Sequence, residues 1–136
     1  MIKLVARILC VEDEPDLLDD LVCELREVAY EVIAVNNGLE ALAALKASTF
    51  DLVLCDIQLS GMDGFGVLRK ALTDLVIGVP FIFMTAYGDS EMQFRAIEAG
   101  AAGILVKPID YDELIILVAD LLGSGPIKLF GVPDPS

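Results

Sequence analysis

Apolar residues along the chain fall into two kinds of segment. Short runs with little polar interruption occur at 7–11, 32–35, 51–55, 80–84 and 103–106. They are rich in Val, Ile, Leu and Phe and hardly alternate, the pattern of strands covered on both faces of a parallel sheet. Between them lie longer stretches whose apolar residues recur every three or four positions. Leu17, Leu18, Leu21, Val22, Leu25 and Val28 form one stripe with acids opposite. Leu39, Leu42 and Leu45 mark a second helix, and Val67, Leu68 and Leu72 a third. Met92, Ala96, Ile97 and Ala99 mark a fourth, and Leu114, Leu117, Val118 and Leu121 a fifth. Pro15 stands where a first helical turn should begin, and Gly100 where a helix should stop. Strict alternation of five strands and five helices predicts one doubly wound α/β domain with a parallel sheet, over residues 5–122. Residues 123–136, GSGPIKLFGVPDPS, break the pattern with three Gly and three Pro and read as a tail or linker stub.

Composition narrows the class. At 136 residues and 56% hydrophobic, the chain can bury a real core, so intrinsic disorder is excluded. The longest uninterrupted apolar run, Leu114 to Ala119, is far short of the ~20 residues a membrane helix needs. The N-terminal stretch lacks the layout of a secretory leader, so a cytoplasmic location is expected. Nine Lys and Arg against 22 Asp and Glu give a net charge of −13. Such a surface repels phosphate backbones and anionic membranes, so direct nucleic-acid binding and membrane binding are not expected. The absence of histidine removes Ser-His-Asp and Cys-His catalysis, imidazole-based zinc sites and any phosphohistidine carried by this chain. Cys10, Cys23 and Cys55 are odd in number, show no C-x-x-C spacing and each lie in an apolar run. Reduced, buried, inert thiols are the expectation.

Candidate chemistry gathers where the strands end. In an open α/β sheet, ligands bind beyond the carboxyl ends of the strands. Glu12 and Asp13 follow the first run, Asp56 the third, Thr85 the fourth and Lys107 the fifth. One rim would therefore hold three carboxylates, a hydroxyl and an ammonium. Clustered carboxylates repel unless a cation sits among them, and an all-oxygen donor set suits Mg²⁺. An aspartate beside Mg²⁺ and a lysine suits phosphoryl transfer, with the carboxylate as nucleophile. Two blander readings exist: Asp13 could cap the first helix, and Asp63, within Gly61-Met62-Asp63-Gly64, reads as the cap of the third.

The segments VEDEP at 11–15 and LVLCDIQLSGMDG at 52–64, with Thr85-Ala86 and Lys107-Pro108, resemble a response regulator receiver domain of two-component signalling. The resemblance implies a flavodoxin-like fold with strand order 2-1-3-4-5. It implies that Asp56 accepts a phosphoryl group from the phosphohistidine of a partner kinase or phosphotransfer protein, that the domain then switches conformation, and that the phosphate is lost by hydrolysis. Asp13 would bind Mg²⁺ directly, Glu12 mostly through metal-bound water, and Gln58 through its backbone carbonyl. Thr85 would be the switch hydroxyl, Lys107 the phosphate-binding lysine and Ala86 the small residue that leaves room for the phosphoryl group. The side chains of Gln58 and Tyr87 would border the path of attacking water. The family commonly has a cis bond before the proline that matches Pro108. Two positions depart from its pattern. Ile104 stands where an aromatic often completes the switch, and Ser60 where proline is common.

Three rivals carry different expectations. A receiver-like interaction module would not be phosphorylated, although the intact acidic pair, acceptor and lysine speak against it. A hydrolase with an aspartyl intermediate would have a second acid where Gln58 stands. An FMN carrier would have a phosphate-cradling loop after the first strand, which the sequence lacks. Ile115, Ile116 and Leu122 fall outside the stripe of the fifth helix, so the face of the fourth and fifth helices is the candidate surface for self-association. Folding back of Ile127, Leu129 or Phe130 onto these residues is the alternative.

Overall fold

The computed structural model describes residues 5–123. In chain order these form β1 (Arg7–Val11), α1 (Pro15–Glu27), β2 (Glu31–Val35), α2 (Gly38–Ala47), β3 (Leu52–Asp56), α3 (Gly64–Thr73), β4 (Phe81–Thr85), α4 (Ser90–Ala99), β5 (Gly103–Val106) and α5 (Tyr111–Leu122). The sheet is parallel throughout, in the order β2-β1-β3-β4-β5. The predicted five-and-five alternation and strand order both hold.

Local chemistry sets the helix boundaries. Pro15 opens α1, where its missing N–H costs nothing. The other four helices begin on an Asn or Asp whose side chain accepts a backbone N–H of the first turn. Asn37 takes Glu40 N at 2.8 Å, Asp63 takes Gly66 N at 2.9 Å, Asp89 takes Met92 N at 2.9 Å and Asp110 takes Glu113 N at 3.2 Å. Asp63 is thus a helix cap, as its position predicted. Asp13 is not, because Glu14 occupies the cap position of α1. Gly100 ends α4 at φ 98°, a left-handed conformation that glycine adopts without strain.

Successive strand residues feed two cores on opposite faces of the sheet. Leu9, Val11, Val53, Cys55, Phe81 and Phe83 pack with residues of α2, α3 and α4. Ile8, Cys10, Leu52, Leu54, Ile82 and Met84 pack with residues of α1 and α5. Each such Val, Leu, Ile, Phe or Met side chain, fully buried, contributes roughly 1.5–3 kcal/mol by leaving water. The three inner strands are covered on both faces, as their unbroken apolar runs predicted.

Several expectations fail for one reason: an apolar pattern does not say which part of a stripe finds a neighbour. β2 lies at the sheet edge, so Ile33 is partly exposed rather than covered. Leu39, Leu72 and Ile97 are exposed flanks of their stripes. Ile115 and Leu122 are not outside the stripe of α5 but pack against the core, and Ile116 alone of the three is exposed. Cys10 and Cys55 are buried as expected, whereas Cys23 lies on the exposed side of α1. The reading of 123–136 as a tail, beyond Gly123, and the docking of Ile127, Leu129 or Phe130, fall outside the described residues.

Candidate functional site

Strand register assembles the rim. Val11 pairs with Cys55, so the next residues, Glu12 and Asp56, stand side by side. Asp56 pairs with Met84, which puts Thr85 one step further out. Thr85 pairs with Val106, so Lys107 emerges beside it. These four residues, named from strand ends alone, come together at one edge.

The contacts are short and charged. Lys107 Nζ donates to Asp56 Oδ2 at 2.8 Å and to Glu12 Oε1 at 3.0 Å. Asp56 Oδ1 accepts the backbone N–H of Gln58 at 3.1 Å, and Glu12 Oε2 accepts that of Glu14 at 3.0 Å. Glu12 and Asp56 are 0% and 2% exposed, which is costly for carboxylates unless their charges are compensated. Burial pushes the Glu12 carboxyl up to about 7, against the opposing pull of the Glu14 N–H and Lys107. Burial alone would lower the Lys107 ammonium, but its hydrogen bonds to Asp56 and Glu12 hold it above the usual lysine value. The Lys107-Pro108 peptide bond is cis.

Glu12, Asp13 and Asp56 each offer an oxygen within 4.8 Å of the others. Among the described residues Lys107 is bonded to two of these three acids, and the cluster contains no thiol or imidazole. The donor chemistry therefore fits a hard, oxygen-seeking divalent cation such as Mg²⁺. Asp13 is exposed and can meet an arriving ion, while Glu12 lies beneath it.

Thr85 is fully buried, with its hydroxyl on the rim. Its Oγ1 accepts Tyr87 N at 3.0 Å and donates to Gln58 Oε1 at 3.4 Å. Ala86 is exposed beside it. Tyr87 is exposed and borders a small cavity with Asp89, Glu91, Met92 and Arg95, so its ring lies towards α4. Ile104 packs into the core beneath α4.

Residues not singled out from the sequence shape the surroundings. Gly64 opens α3 so close to the acceptor that a Cβ there would lie 2.6 Å from the Asp56 carbonyl oxygen and 2.9 Å from Ile57 Cα. Its glycine signal was visible, but the close approach depends on the folded loop. Arg95 sits over the Phe65 ring, 4.8 Å from its centroid, and with Asp13, Gln58 and Asp63 lines a groove running from the acidic cluster to α4.

A doubly wound sheet with this acidic rim and lysine defines a receiver-type fold. The family model "Response regulator receiver domain" matches residues 8–119, and the chain belongs to that family. The transcriptional regulatory protein ZraR of Klebsiella oxytoca is 37% identical over 115 residues, which is 85% of this chain and 26% of that protein. The transcriptional regulatory protein CrdR of Helicobacter pylori is 32% identical over 123 residues, 90% of this chain and 58% of that protein. The chain thus spans about a quarter of the length of ZraR. Chemotaxis protein CheY4 of Vibrio cholerae superposes with a TM-score of 0.82 at 26% identity, covering 87% of this chain and 99% of that one. A CheY-like receiver domain protein of Methanospirillum hungatei gives 0.80 at 32% identity, covering 87% and 94%.

Proposed function

We propose that the domain takes a phosphoryl group from the phosphohistidine of a partner kinase or phosphotransfer protein onto Asp56, and that the modified site shifts the conformation of the α4 side. The observation that carries this reading is the convergence of Glu12, Asp13 and Asp56 within 4.8 Å, with Lys107 bonded to two of them. An Asp56 oxygen attacks phosphorus, an O–P bond forms, and the P–N bond to the donor imidazole breaks. Lys107 is placed to neutralise charge on the phosphoryl oxygens, and Thr85 to donate to one of them. Glu12, Asp13, Asp56 and the Gln58 carbonyl would hold Mg²⁺, which when bound offsets the negative charge of acceptor and phosphoryl group. Ala86 leaves space beside Thr85. Tyr87 and Gln58 flank the approach of water in the later hydrolysis.

The 136 residues contain no histidine, so the phosphohistidine donor lies outside them. A charge of −13 favours a protein partner over nucleic acid. No helix among the described residues is long and apolar enough to cross a membrane, and a cytoplasmic setting accords with a kinase-borne donor. We assign the receiver unit to 5–122. Phe94, Ile97, Val106 and Ile116 are exposed apolar side chains of α4, β5 and α5, and support self-association through that face.

Transfer from a phosphorylated histidine-containing domain tests the reading. Radiolabel should reach the wild type in the presence of Mg²⁺ and should not reach Asp56→Asn. Equal labelling of the variant would overturn it.

A further inference from the structure

The one proton on the Thr85 hydroxyl is already in use. A threonine hydroxyl offers one donor and two acceptor positions. Here Oγ1 accepts the N–H of Tyr87 at 3.0 Å and gives its proton to Gln58 Oε1 at 3.4 Å. The Asp56 carboxylate receives no bond from Thr85; its oxygens take Lys107 Nζ and the Gln58 N–H instead.

We propose that the Gln58 side chain is a latch that holds the Thr85 hydroxyl away from the acceptor and so stabilises the unphosphorylated conformer. This deepens the proposed function and rests on it. A phosphoryl oxygen on Asp56 and Gln58 Oε1 cannot both receive a single proton. Whichever takes it sets the rotamer of Thr85, and with it the bond to Tyr87 N that shapes the start of the loop into α4. Gly88 in that loop packs against a β5 side chain: a Cβ there would lie 2.5 Å from Val106 Cγ2. Gln58 therefore acts through Thr85, as a positioning residue.

Gln58 is exposed, so replacing it should not unfold the domain. Losing a competing hydrogen bond as long as 3.4 Å, at the weak end of the range, should raise affinity for a phosphoryl mimic about two- to threefold. The probe is beryllofluoride with Mg²⁺, titrated by calorimetry on the full chain. Gln58→Leu should bind it about two- to threefold more tightly than wild type. In a Thr85→Ala background the same change should have no effect, because no hydroxyl remains to be released. A residue that only shields the acyl phosphate from water would alter its lifetime and leave both titrations unmoved. Equal affinity of wild type and Gln58→Leu would overturn the latch, as would an equal gain in the Thr85→Ala background. Failure of the wild type itself to bind the mimic would remove the proposed function, and the latch with it.

Discussion

Along β3, Leu52, Val53, Leu54 and Cys55 are apolar and 0% exposed, and the next residue, Asp56, is a carboxylate at 2%. The same break occurs on β1 between Val11 and Glu12, and on β4 between Met84 and Thr85. Glu12, Asp56 and Thr85 are the buried polar or charged residues among those described, and all three lie on the carboxyl-end rim. In the body of the sheet, burial stabilises because it removes apolar surface from water. On the rim it works against folding, since two carboxylates share one ammonium. The difference bears on the proposed function: the residues whose burial has an energetic cost are those the proposed chemistry uses. Substitutions in the body should cost stability, and substitutions on the rim should cost function.

The sharpest break in the body is Phe83→Ala. Phe83 is fully buried and meets Phe65 and Phe81 edge to face, with ring centroids 5.1 and 6.1 Å away. Its loss should destabilise the domain by about 3–5 kcal/mol, read from denaturant midpoints. Gly64→Ala strikes the joint between body and rim. The added methyl meets backbone at Asp56 and Ile57, which cannot yield as a side-chain tip could. About 1–3 kcal/mol should be lost, together with a slower phosphorylation of the folded protein. A full rate at reduced stability would place the strain outside the acceptor loop.

Lys107→Ala tests the rim from the other side. It leaves Glu12 and Asp56 without their shared counter-charge, so the metal-free protein should melt earlier. The rise in melting temperature on adding Mg²⁺ should exceed that of wild type, because one repelling charge has gone. A smaller rise would show that Lys107 helps to hold the cation. Tyr30→Phe gives the smallest effect and probes an exception in the body. The Tyr30 hydroxyl is buried with no hydrogen-bond partner among the described residues, so removing it should leave stability unchanged or raise it by about 1 kcal/mol. A clear loss would mean the hydroxyl has an ordered partner.

The same contrast explains what was legible in the sequence. Inner strands carry unbroken apolar runs because both faces are covered, so the layers and the strand-end residues Glu12, Asp56, Thr85 and Lys107 could be read directly. The order of strands could not, since nothing in a run of Val and Leu names its neighbour; it came from the family resemblance. Exposure of Ile33, Cys23 and Ile97 was also hidden, because an edge strand or the flank of a helix stripe looks like its buried counterpart until neighbours are placed. At the site, the residue types were readable but their hydrogen bonds were not. The engagement of Thr85 by Gln58 and the tight seat of Gly64 depend on how the loops after β3 and β4 fold over the rim.

Trapping the acyl phosphate and locating it by residue addresses the rim most directly. After transfer from a phosphohistidine donor with Mg²⁺, borohydride reduction converts an acyl-phosphorylated aspartate to homoserine, which peptide mass spectrometry can place. Homoserine should appear at position 56, only when Mg²⁺ was supplied. Homoserine at position 13 or elsewhere, or equal conversion with the metal chelated, would contradict the assignment of this rim as a metal-assisted phosphoacceptor site.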